Sequence, residues 1–177
     1  MHKEFNDRFA QMEAMRNNLL NGLKSTPEAI LMKSPGTGRW SALQTVQHLV
    51  VAETGTNKYL RKKILGKEKV PFSGIANLFR MSLGKVILRL PIKFKAPEMV
   101  ANPPANVGLN NTIAQWNATR NEFKEIVMAL EAKDLKRELF KHPFMGRLDI
   151  FQTMDFFEYH LSRHKKQVER TIKEVQG

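Results

Sequence analysis

The chain has 177 residues, 42% hydrophobic and 26% charged, which excludes a disordered or fibrous protein and suits a single domain over residues 1–177. It has no cysteine, so disulfides, iron–sulfur clusters, thiolate-bound zinc and a cysteine nucleophile are excluded together. The 29 Lys/Arg and 17 Asp/Glu give a net charge of +12. Most of this excess lies in residues 58–95, where Lys58, Arg61, Lys62, Lys63, Lys67, Lys69, Arg80, Lys85, Arg89, Lys93 and Lys95 face one acid, Glu68.

Residues 2–24 read as a first helix, with Phe5, Phe9, Met12, Leu19 and Leu23 at helical spacing. Thr26-Pro27 and Ser34-Pro35-Gly36-Thr37-Gly38 end it and form a loop. A second helix starts near Trp40-Ser41, with Ser41 as its cap, and runs to about Leu65. Its apolar stripe is Leu43, Val46, Val50, Leu60 and Ile64, and Gly66 stops it. Residues 67–107 are broken by seven prolines and glycines, with Ile75 to Leu90 as a short amphipathic helix inside them. A third long helix is expected from about Leu109 to Leu130, capped by Asn110 or Asn111, with Ile113, Trp116, Phe123, Val127 and Leu130 inward. Residues 133–148 read as a loop.

Asp149 is the expected cap of the last helix, from about Ile150 to Val175. Its stripe of Ile150, Met154, Phe157, Leu161, His164, Val168 and Ile172 includes a histidine. Little strand signal is present. Four long helices and one long irregular connection, between the second and third, predict an all-α, antiparallel four-helix bundle. No apolar run approaches the roughly 20 residues of a membrane span, and the first residues lack an apolar signal core. A soluble, cytoplasmic protein is expected.

The chemistry resides in histidines. His160 and His164 are four residues apart, so both project from one helix face a turn apart. Such a pair can ligate one ion, although by itself it reads more readily as two partly exposed helical histidines. His48 lies mid-helix among apolar neighbours. By itself it reads more readily as a core histidine than as a ligand. A bundle can bring it to the pair, making a three-nitrogen site with an open position, the mark of a catalytic rather than a structural metal centre. An all-nitrogen set suits a divalent ion such as Zn, Ni, Co or Fe.

Two stretches carry a family resemblance. Arg39-Trp40-Ser41-Ala42-Leu43-Gln44-Thr45-Val46-Gln47-His48-Leu49 resembles the W-S…H-L element of the DinB/YfiT-like metalloprotein superfamily. His142-Pro143-Phe144-Met145-Gly146, followed by Phe156-Phe157-Glu158-Tyr159-His160-Leu161-Ser162-Arg163-His164-Lys165-Lys166-Gln167-Val168, resembles its H-P-F-x-G…H-x-x-R-H-x-x-Q-(I/V) ending. The resemblance covers essentially the whole chain, most loosely in residues 67–107. It implies a four-helix bundle, often dimeric, and a divalent metal, foremost Zn or Ni, held by His48, His160 and His164. It also implies a metal-dependent enzyme: a thiol S-transferase using a low-molecular-weight thiol, a thiol-dependent isomerase, or a hydrolase. The expected partners are a small-molecule substrate and a second copy of the chain. Activation of a thiol fits a protein without cysteine, since the sulfur would arrive on a cosubstrate.

Other residues read differently. His142 is a candidate fourth ligand, but Pro143 and Gly146 favour a turn. His2 sits at an end expected to be mobile. Glu53 lies about 140° around the helix from His48 and reads as a surface or pair-forming residue, and Glu158 also points away. Gln44 and Gln167, each within one turn of a ligand histidine, are candidates to orient its ring. Trp40 and Trp116 read as packing. The basic segment 58–95 reads as a solvated face, an anion funnel or a membrane-surface contact. Its few aromatics give no base-stacking platform, so no nucleic-acid partner is expected. The alternative function is a non-catalytic metal-binding bundle whose segment 58–95 engages an anionic partner or membrane surface.

Overall fold

The computed structural model describes residues 2–74 and 101–177. The expected helix from Ile75 to Leu90 lies outside the described residues. Five α-helices dominate the rest: α1 (Lys3–Lys24), α2 (Glu28–Met32), α3 (Ala42–Ile64), α4 (Leu109–Met128) and α5 (Ile150–Gln176). The protein is thus mostly helical, as its periodicity requires.

Two helices begin on strong sequence signals. Ser41 Oγ accepts from Gln44 N–H at 3.1 Å, and Gln44 Oε1 accepts from Ser41 N–H at 3.0 Å. Asp149 and Gln152 make the same reciprocal pair at the start of α5, at 2.8 and 3.1 Å. Each box satisfies backbone donors that a helix start otherwise leaves without partners. The start of α4 differs from expectation. Its cap is Gly108 rather than Asn110 or Asn111, and Glu28 Oε1 from α2 accepts Leu109 N–H at 2.9 Å. A side chain at position 108 would place its Cβ 2.6 Å from that oxygen, so glycine is what admits this distant carboxylate. Helix α2 lies in the stretch expected to be loop, because five residues are too few to show a period.

Residues 133–148 also hold more structure than a loop. A 3₁₀ turn covers Ala132–Lys136. Strand β1 (Phe140–His142) then pairs antiparallel with β2 (Gly146–Leu148), with Phe140 opposite Leu148 and His142 opposite Gly146. Gly146 adopts φ 75°, in the left-handed region that glycine enters without steric penalty.

Cross-helix contacts set the directions. Gln47 bonds Thr112, and Arg61 bonds Glu122, so α3 and α4 run parallel. Arg8 pairs with Asp155 and Lys165 with Asn18, so α1 and α5 are parallel as well. By contrast, Arg39 pairs with Glu174 and Thr45 meets Gln167, which makes α3 and α5 antiparallel. The expected antiparallel arrangement thus holds for α3 and α5 but not for α3 with α4 or α1 with α5: the long connection after α3 lets α4 run alongside it, whereas a short loop would have forced antiparallel neighbours.

The core forms two apolar clusters. One gathers Phe5, Met12, Leu60, Phe123, Met154 and Phe157. The other gathers Leu23, Leu43, Leu49, Trp116, Leu161 and Val168. Arg120 lies where they meet, 5.7 Å from the ring of Trp116 and 5.7 Å from that of Phe157.

Candidate metal centre

The antiparallel packing of α3 on α5 brings the three predicted histidines together. Ring centroids are 5.1 Å apart for His48 and His160, 4.9 Å for His48 and His164, and 4.6 Å for His160 and His164. Each offers one nitrogen, and these three nitrogens lie within 4.8 Å of one another. Among the described residues no other His, Asp or Glu joins them.

The donor geometry fits a cation. His48 Nε2 and His160 Nε2 are 3.2 Å apart. Two nitrogens about 2.0–2.1 Å from one tetrahedral ion stand about 3.3 Å apart. His164 has its tautomer fixed from behind. Its Nδ1–H donates to Gln167 Oε1 at 3.0 Å. Gln167 Nε2 in turn reaches Thr45 Oγ1 at 3.4 Å, which assigns the amide its orientation. The Nε2 lone pair of His164 is therefore the one left for the centre.

Burial keeps the two α5 rings neutral. His164 is 9% exposed, and desolvation, with a smaller effect of neighbouring His48, pushes it down to about 3. Desolvation lowers His160 well below the usual imidazole value, and His164 and His48 add to that. A neutral imidazole is the form that binds metal.

Two aromatic rings flank the triad. Trp40 lies 4.9 Å from the His48 ring, and Phe156 stacks on His160 at 5.1 Å and 19°. Both escaped the sequence reading as site residues. Phe156 was legible in principle, because it precedes His160 by one helical turn.

Other candidates fall away from the triad. His142 ends β1 at the hairpin turn, where its Nδ1 accepts from Phe144 N–H at 3.2 Å and Met145 N–H at 3.1 Å. Gln44 serves the α3 cap and not His48, whereas Gln167 does hold a ligand ring. Glu53 is not at the surface. It is 2% exposed and accepts from Arg120 Nε at 2.5 Å, Arg120 Nη2 at 2.8 Å and Trp116 Nε1 at 3.0 Å. That commits it to structure rather than to proton transfer. His2, expected at a mobile end, is 8% exposed and precedes α1 as its cap residue.

The DinB superfamily model matches residues 11–168, and the chain belongs to that superfamily. No curated protein and no solved structure matches it significantly. Fold and site together thus define a helical DinB-type protein with a three-histidine cluster able to hold a metal ion.

Proposed function

We propose that this protein is a metal-dependent enzyme whose ligands are His48, His160 and His164. It would transfer a low-molecular-weight thiol to a small electrophilic substrate, or hydrolyse a substrate where water takes the thiol's place. The observation that carries this reading is the convergence of three imidazole nitrogens, within 4.8 Å of one another, in a DinB superfamily chain. The four long helices are taken as a bundle crossed by the connection between α3 and α4. A cytoplasmic location and a homodimer belong to the same proposal.

The residues present suit a divalent ion, Zn or Ni foremost, and three protein ligands leave at least one position for a reactant. When bound, such an ion lowers the pKa of a coordinated water or thiol and holds the resulting anion ready for attack. The chain's own part is to present neutral nitrogens, to fix the His164 ring through Gln167, and to wall the centre with Trp40 and Phe156.

Elemental analysis of the purified protein tests the ligand set. Wild type should carry about one divalent metal per chain, and His160→Ala should lose it. Full occupancy in that variant would reject the assignment. A panel of small thiols and electrophiles then separates the chemistries, and turnover that needs no thiol would reject transfer.

A second reading is favoured by the end of α3. Leu65 is 88% exposed there, with Lys62, Lys63 and Lys69 close in sequence. A basic surface carrying an apolar side chain suits an anionic membrane or another anionic partner, and this would be a non-catalytic role. Flotation with anionic vesicles at low and high salt tests it; absence of association at low salt removes the membrane version.

A further inference from the structure

Around the triad, one line of rings runs outward from a ligand to the β-hairpin. The ring of His160 is stacked on Phe156. The nearest ring to Phe156 is that of His142, whose centroid is 4.4 Å away at an interplanar angle of 57°. His142 in turn is pinned by the tight turn it belongs to, because its Nδ1 accepts two successive backbone N–H groups, from Phe144 and Met145. Both His142 and Phe156 are buried, at 9% and 6% exposure.

We infer that His142 is a positioning residue: anchored by the hairpin turn, it holds Phe156 against His160 and so sets the orientation of a ring that faces His48. The inference rests on the metal-site reading for its consequence, but not for its geometry. His160 has the greater need of such support. Of the two histidines on α5, His164 is oriented by a hydrogen bond to Gln167. What the described contacts give His160 on its outer side is the flat face of Phe156. A phenyl ring restrains a neighbour only as well as it is itself held. Phe156 has Phe157 and Phe140 at 5.8 and 6.4 Å, both farther than His142.

The His142 ring also suits this duty chemically. Burial alone lowers it to about 4, so it stays neutral through the physiological range. A neutral Nδ1 can accept the two turn N–H groups, whereas an imidazolium could not. The hairpin, which by itself would be marginal at three residues a strand, thereby gains a reason to sit beside the site. It carries the anchor of the ring stack.

Two substitutions separate the two jobs of His142. In His142→Asn the amide oxygen can accept the same turn N–H groups, but the ring against Phe156 is gone. In His142→Phe the ring remains and the acceptor is lost. The probe is Co(II) titrated into metal-free protein, read by its visible absorption. His142→Asn should keep the melting temperature of metal-free wild type, bind Co(II) about tenfold more weakly, as loss of support behind a ligand does, and change the absorption band. His142→Phe should melt lower yet bind Co(II) within about threefold of wild type. Wild-type affinity and spectrum in His142→Asn would overturn the inference. So would affinity losses in both variants that merely follow their melting temperatures.

A readout without metal keeps the two readings apart. Imidazole ¹H–¹⁵N spectra of the metal-free protein should show the His160 ring signals displaced in His142→Asn and retained in His142→Phe. If wild type binds no Co(II), the metal-site reading fails, while these spectra still decide the positioning role. Unmoved His160 signals in His142→Asn would reject it.

Discussion

Replacing Glu53 by alanine should cost the protein about 3–5 kcal/mol. Glu53 and Arg120 are 2% and 1% exposed and joined by two hydrogen bonds, at 2.5 and 2.8 Å. Each charge tolerates burial only because of the other. Removing one member of such a pair leaves an uncompensated charge in a medium that solvates it poorly, and the loss is typically about 3–5 kcal/mol. Glu13 bonds Arg120 Nη1 at 3.1 Å and softens the loss, but Glu13 is already engaged by Arg16 at 2.7 Å. The orphaned indole N–H of Trp116, which donates to Glu53 at 3.0 Å, adds to it. For a domain of this size the melting temperature should fall by roughly 10 °C. The assay is thermal unfolding of Glu53→Ala, Glu53→Leu, Arg120→Met and the double variant Glu53→Leu/Arg120→Met, the last three closing a double-mutant cycle with wild type. The double variant should be markedly more stable than Arg120→Met, because apolar replacement of both charges removes the desolvation penalty. Metal binding should stay within about threefold of wild type throughout, since Glu53 faces α4 and the triad lies between α3 and α5. A loss below about 1 kcal/mol in Glu53→Ala, or a double variant no better than Arg120→Met, would refute the reasoning.

Gln167→Leu removes the acceptor behind His164 Nδ1 and should weaken divalent-metal binding about 10- to 100-fold, with little change in melting temperature; unchanged affinity in calorimetric titration would show that the amide does not orient the ring. Acid should destabilise the metal-free protein before its carboxylates titrate. His142 falls from 6.5 to about 4 on burial, so between those values the unfolded chain binds a proton that the native one does not. Native stability therefore drops as pH falls through that window and levels off below it. From pH 7 to 4.5 this residue alone accounts for about 2–3 kcal/mol, measurable by urea unfolding. His142→Phe should lose that increment of pH dependence, and an identical profile in the variant would contradict the buried, neutral assignment.

What the sequence determined by itself is what depends on nearby residues. The long helices were legible because apolar residues recur over many turns, and Ser41 and Asp149 because a capping side chain acts within three residues. The His160–His164 pair was legible because 3.6 residues per turn fixes their shared face, and Gln167 because it stands one turn further on. Tertiary structure decided everything that needed distant segments to meet. It brought His48 to within ring contact of the pair, aligned α3 parallel to α4, and capped α4 with a carboxylate from 81 residues earlier. It also decided between the surface and pair-forming readings of Glu53, in favour of a buried pair with Arg120. The short elements, α2 and the β-hairpin, were hidden because three to five residues hold no measurable period. Local spacing constrains angles along one helix, whereas a site made by two helices depends on their relative direction and offset, which packing of the whole chain sets.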